Sequence, residues 1–170
     1  DARIHFRGIS TGAAVEMIRQ ARSKGLKVTA DTAIHQLHLT EMDVDGFDSN
    51  CHVIPPLRTF GDREALREGL ASGILSAVCS DHQPHEPDAK NAPFPSTAPG
   101  ISALETLVPL TLRLVEERLL DLPRAIARLT CGPADILGLP LGRLGAGSAA
   151  DVCILAPNRH WSLEIGTLAS

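Results

Sequence analysis

The chain reads as an α/β protein built on parallel strands, and three features of the sequence predict it. Short apolar stretches alternate with segments whose apolar residues recur at helical spacing. The run Ile74-Leu75-Ser76-Ala77-Val78-Cys79 is nearly continuous in apolar residues, as in a strand covered on both faces. Helix-starting and helix-ending residues punctuate the alternation, with Ser10-Thr11 before the first helix and Gly25 and Gly73 closing the first and second.

Taken in order, residues 2–9 are predicted as a strand and residues 12–23 as a helix with Ala14, Val15, Ile18 and Ala21 on one face. Residues 26–30 begin a second strand, so the opening is a strand–helix–strand unit of a parallel sheet. Residues 33–58 are polar and irregular and end in Pro55-Pro56; a structured connection of that length usually serves function. Residues 61–72 form a helix with Leu66 and Leu70 inward, and residues 74–79 a third strand that stops at Ser80-Asp81-His82. Residues 86–100 are predicted as a loop. Residues 101–120 are predicted as one long helix bent at Pro109, with Leu104, Leu107, Val108, Leu112 and Val115 on one face. A helix over 122–129, a helical turn over 133–139, a Gly-rich segment over 142–147 and a final strand over 149–155 complete the chain. Three strand–helix units cannot close an eight-stranded barrel, which takes ~250 residues. Part of a larger fold is expected.

The chain has 170 residues and a net charge of −4, enough length for a real core and no basic run to neutralise phosphates. Nucleic acid is therefore an unexpected partner. No apolar run approaches the ~20 residues of a bilayer crossing, and no signal-peptide pattern opens the chain. Cys51, Cys79, Cys131 and Cys153 are scattered with no CxxC pair, which predicts reduced thiols in a cytosol rather than a zinc knuckle or a disulfide framework. Aromatic residues are 3% of the chain, too few for a stacking platform.

In an α/β barrel the reactive groups stand at the C-terminal ends of strands. Asp81 is placed there by the third strand, with His82 and His85 in the same turn. A carboxylate beside an apolar strand costs free energy unless it is paired. By itself the pattern leaves a turn-capping aspartate and a reactive one both open.

The surrounding residues resemble the dihydroorotase family. Ser80-Asp81-His82-Gln83-Pro84-His85, Asp88-Ala89-Lys90 and the stretch Pro99-Gly100-Ile101-Ser102-Ala103-Leu104-Glu105-Thr106 are similar to its DHAPH…K…GI.GLET motif. Ile4-His5-Phe6-Arg7-Gly8-Ile9-Ser10-Thr11 resembles its HxxHVST strand end, Ile34-His35-Gln36-Leu37-His38-Leu39-Thr40 its PHHLLLT segment, and Pro55-Pro56-Leu57-Arg58 its NPPLR. Pro133 to Leu139, Gly142-Arg143-Leu144 and Asp151-Val152 are similar to the tail that returns to a small β-sandwich.

The resemblance implies a metal-containing (β/α)8 TIM barrel with a β-sandwich. Residues 1–140 would be the last three strand–helix units of the barrel and residues 141–170 the start of the sandwich. The first-strand HxH pair, the fourth-strand ligand and the fifth-strand histidine are not in this chain. By resemblance, Asp81 corresponds to the aspartate that binds a metal and carries the proton between metal-bound water and the ring nitrogen. His85 corresponds to the histidine that contacts the substrate carboxylate. The implied reaction interconverts dihydroorotate and carbamoyl aspartate in pyrimidine biosynthesis, with one or two Zn2+ in the family and at most one expected here.

Two positions depart from the family. Gly8 stands where a metal-binding histidine is expected, and Ile54 stands where a substrate-contacting asparagine precedes Pro-Pro. His5 lies at odd spacing from Gly8, on the opposite strand face, and is expected to be buried or hydrogen-bonded. Such losses resemble the non-catalytic homologues that act as structural partners of aspartate transcarbamoylase. Residues 36–58 look like that branch, whereas Gln83-Pro84-His85 looks like the catalytic one. His35 and His38 are expected in a loop and not as metal ligands, His52 and His160 on the surface, and Cys79 as a small core residue. The 170-residue chain alone is expected to lack catalysis and to need a companion, either the missing N-terminal half or further copies in a homo-oligomer.

Overall fold

The computed structural model describes residues 2–159 and 162–164. Its sheet has three parallel strands in the order β1 (Ile4–Phe6), β2 (Val28–Ala33), β3 (Ala77–Cys79). Phe6 lies opposite Ala30, and Asp31 opposite Ala77, so β2 is paired on one side along its first half and on the other along its second. The crossovers are α1 (Gly12–Ser23) and α2 (Phe60–Ala71); α3 (Pro87–Lys90), α4 (Leu107–Glu116), α5 (Leu122–Leu129) and α6 (Cys131–Leu137) follow β3. The α/β class and the parallel order are those the sequence predicts.

Local chemistry explains the helices. The Thr11 hydroxyl accepts from the Ala14 amide at 3.2 Å and caps α1; the Thr59 hydroxyl accepts from the Asp62 amide and caps α2. Asp62 then accepts from the Gly12 amide at 2.9 Å, tying the two N-termini together. That amide first, and the Thr59 hydroxyl second, hold the Asp62 carboxyl below the usual carboxylate range. Val15 and Ile18 of α1 meet Leu66 and Leu70 of α2 in a core that also takes Ile34, Leu37, Leu75, Val78 and Leu114. The two helices close tightly because Gly69 has no side chain: a Cβ there would sit 2.8 Å from Val15 Cγ1. Gly69→Val in the full-length protein is expected to cost about 1–3 kcal/mol, measured by chemical denaturation.

The observed elements depart from expectation in five places. β2 runs on to Ala33, because a central strand continues as long as either neighbour offers a ladder. Residues 33–58 are not simply irregular; they contain 3-10 turns at Ile34–Leu37, Glu41–Phe47 and Ser49–Cys51, elements too short to leave a periodic trace. Residues 101–120 are not one helix. Ile101 pairs with His82, and α4 starts only at Leu107, so Pro109 falls in the first turn, where its missing N–H breaks no helical bond. Residues 149–155 form no strand, and Val152 and Ile154 are exposed. A strand needs a ladder partner, and among the described residues none lies beside this segment. The predicted loop over 86–100 also contains α3 and a 3-10 turn at Phe94–Ser96.

Candidate functional site

Parallel strands bring their C-terminal ends to one rim; Asp31 lies in the second half of β2 and the Asp81–His85 turn follows β3. Asp31, in β2, is a buried carboxylate that must be paired to be tolerated. It accepts from the Gly8 amide at 2.7 Å, from His5 Nε2 at 3.1 Å and from Cys79 Sγ at 3.8 Å. His5 also meets Thr29 Oγ1 at 2.9 Å through Nδ1, so both ring nitrogens are committed to the sheet, in keeping with a hydrogen-bonded histidine. Gly8 has φ +70°, a left-handed conformation that a β-carbon disfavours. Burial, then the Asp31 and Asp81 carboxylates, push the Cys79 thiol up to about 12, so it stays protonated.

Asp81 follows β3 with φ +48°, a region an aspartate enters more readily than most residues. Its Oδ1 accepts from Arg7 Nη2 at 2.6 Å and from Gln83 Nε2 at 3.3 Å. Next to it, His82 Nδ1 accepts from the amides of Ala103 and Leu104, both at 3.1 Å, and Gln83 donates its amide to Ile101 O. His82 thus fixes the turn to the segment that enters α4. His85 Nε2 donates to Pro99 O at 3.0 Å, which leaves Nδ1 as the edge that can meet a ligand.

His85 borders a cavity of about 510 Å³ with Ser49, Asn50, Gln83, Lys90 and Ser102. Lys90 Nζ donates to Ser49 O at 3.1 Å and Gly100 O at 2.7 Å, and desolvation pushes its ammonium below the usual lysine range. Asp81 does not border this cavity. The structure therefore separates the two expected site residues, with His85 toward the cavity and Asp81 toward Arg7. Gln83 spans both, reaching Asp81 with its amide while bordering the cavity. Ile54 is largely exposed, and the Pro55 carbonyl after it is held by Gln36 Nε2 at 2.9 Å.

Three residues were not visible as site residues in the sequence. Arg7 and Asp31 carry no motif of their own, although Arg7 directly follows β1, where a barrel keeps its reactive groups, and Asp31 lies in the second half of β2. His35 is the third. It is not in an open loop but in the 3-10 turn after β2, 3% exposed, and neither ring nitrogen has a hydrogen-bond partner. His38 is also partly buried and donates Nε2 to Leu110 O at 3.0 Å. His52 is half-buried rather than on the surface; it bonds Thr97 Oγ1 at 2.7 Å and lies 4.6 Å from the Phe94 ring. His160 lies outside the described residues.

Desolvation is the main cause that lowers His35 and His38 below the ordinary histidine value of about 6.5. At His35 the Asp81 carboxylate opposes it; at His38 the Leu110 carbonyl does. The unfolded chain takes up protons there that the folded chain refuses, so stability is full above about pH 6.5 and falls as pH drops below it. The denaturation midpoint of the full-length protein is expected to decline between pH 7 and pH 5. His35→Leu should decline less over the same interval.

Among the described residues no three His, Cys, Asp or Glu side chains converge. Asp81 is bound to a guanidinium, and the Gly8 position offers no side-chain donor. No helix among the described residues is long and apolar enough to cross a membrane.

A strand-end rim on a parallel sheet, with carboxylates and imidazoles brought to it by the βα turns, is the architecture of barrel hydrolases. The sequence profile of the amidohydrolase family matches residues 5–165, and the chain belongs to that family. Among its relatives, the chain is 52% identical over 155 residues to a dihydroorotase-like protein of Pseudomonas aeruginosa, covering 91% of this chain and 37% of that protein. It is 52% identical over 164 residues to a dihydroorotase of Syntrophotalea carbinolica, covering 96% and 39%. The fold superposes on the L-hydantoinase (dihydropyrimidinase) of Arthrobacter aurescens with a TM-score of 0.82 and 29% identity, over 88% of this chain and 35% of that one. The expected resemblance to dihydroorotases and the partial-barrel architecture are borne out. The chain spans about two fifths of the length of these relatives.

Proposed function

We propose that the full-length protein is a cyclic amidohydrolase that interconverts dihydroorotate and carbamoyl aspartate. The observation that carries this reading is the Asp81–His85 turn at the end of β3, held open by the His82 clamp and flanked by the cavity. In hydrolysis, water adds to the ring amide carbonyl, the C–N bond breaks, and the ring nitrogen takes up a proton. Asp81 is assigned the proton transfer, a step that a positioned carboxylate accelerates about 10²–10⁴-fold. His85 is assigned the substrate carboxylate through Nδ1. Because Nε2 already donates to Pro99, an Nδ1–H contact to a carboxylate calls for the imidazolium form. A metal of the kind the family uses, zinc being the expected one, would take most of its ligands from residues outside this chain. On this reading the protein serves pyrimidine biosynthesis, with the cytoplasm as the proposed compartment. The experiment is a dihydroorotate hydrolysis assay on the full-length protein: turnover supports the reading, and its absence ends it.

A second reading is favoured by a specific observation. By the family resemblance Gly8 and Ile54 stand where a metal-binding histidine and a substrate-contacting asparagine are expected, and the Gly8 backbone is left-handed, a conformation that disfavours a side chain there. On this reading the protein is a structural partner of aspartate transcarbamoylase. Co-elution of the two full-length proteins on a sizing column, with no dihydroorotate turnover, would support it; separate elution would overturn it.

A further inference from the structure

Asp81 stands at the strand end where the family resemblance implies a metal ligand, yet its carboxylate meets a guanidinium. We infer that Arg7 is the resident counter-cation of Asp81 and keeps a metal ion off that carboxylate.

The geometry supports this from several sides. The Arg7–Asp81 contact, at 2.6 Å, is short for a charge-assisted hydrogen bond. The Asp81 side chain is 13% exposed while Arg7 is 69% exposed, so the guanidinium covers the carboxylate from the solvent side. Gln83 Nε2 adds a second donor to the same oxygen. A divalent ion arriving at Asp81 would have to displace Arg7 or lie within a few ångströms of its positive charge, a repulsion that low solvent access strengthens.

The neighbouring groups do not compensate. One residue after Arg7, Gly8 has no donor side chain, and its amide is turned to Asp31. Asp31, the other carboxylate that acts on Cys79, has one oxygen on that amide and the other on His5. Cys79 donates to Asp31, and His82 accepts two amides. Arg7 follows β1 directly, and its contact with Asp81 belongs to the resting fold whether or not the protein turns over a substrate. The inference therefore goes beyond the hydrolase reading without depending on it.

The test is a zinc titration of the chelator-treated full-length protein, read as affinity by competition with a chromogenic chelator. Four proteins are compared: wild type, Asp81→Asn, Arg7→Gln and the double variant. Asp81→Asn is expected to leave zinc affinity within about twofold of wild type, whereas Arg7→Gln, by removing the repelling charge, should raise it by about tenfold or more. The double variant should lose that gain. A tenfold loss in Asp81→Asn alone would overturn the inference, because Asp81 would then already be a ligand. So would an Arg7→Gln protein with no gain, because the guanidinium would not be what excludes the metal. Arg7→Met, also uncharged, repeats the measurement if Arg7→Gln does not fold. Affinity is read without turnover, so an inactive protein does not fail this test and an active one does not pass it.

Discussion

Gly100→Ala in the full-length protein is expected to lower stability by about 2–4 kcal/mol and to dismantle the His85 side of the site. Gly100 has φ +151°, a conformation that L side chains rarely adopt. A Cβ there would lie 2.4 Å from Gln83 O, 2.8 Å from Gln83 Cβ and 2.9 Å from His85 Nε2. Backbone is among these neighbours, so no rotamer change relieves the clash. Three hydrogen bonds also meet at or beside Gly100: its amide donates to His52 O at 2.7 Å, its carbonyl accepts from Lys90, and Pro99 before it accepts from His85. Pushing it away frees all three. Chemical denaturation of wild type and variant gives the stability change, and an unchanged midpoint would contradict the packing described.

On the proposed hydrolase reading, Asp81→Asn in the full-length protein is expected to reduce dihydroorotate turnover about 10²–10⁴-fold while leaving the fold in place. The amide keeps the shape of the carboxylate, and its oxygen can still accept from Arg7 and Gln83. It cannot take the proton. The change should therefore appear in kcat with little movement of the denaturation midpoint. A variant that turned over like wild type would remove Asp81 from the chemistry. The predicted contrast with the zinc titration is informative, because a proton carrier held by a guanidinium loses rate on mutation without losing metal.

Legibility in the sequence followed the range of the interaction. Thr11, Val15, Ile18 and Gly25 mark α1 within a dozen residues, and the apolar run before Cys79 marks β3; both are local patterns. The placement of Asp81 and His85 just after β3 was legible because a strand end and a short motif coincide there; the roles given to them remain proposals. The Arg7–Asp81 pair joins positions separated by 74 residues, and no periodicity encodes it. His35 was misread because a four-residue 3-10 turn gives no sign of which of its side chains will be buried. Residues 149–155 have the composition of a strand, but strand formation depends on a partner that composition does not name. Residues 101–106 carry helix-compatible side chains, and the His82 clamp overrides them.

Lys90 has a consequence of a different kind. Its ammonium joins Ser49, 41 residues earlier in the chain, to Gly100, ten residues later, so one side chain closes two excursions of the backbone. Closing a flexible loop costs conformational entropy that grows only slowly with its length. Once either loop is fastened to Lys90, the second closure starts from an ammonium already in place. The two loops are therefore expected to order together, and the cavity beside His85 to exist as a cooperative unit, present whole or absent whole, rather than as two walls that open independently.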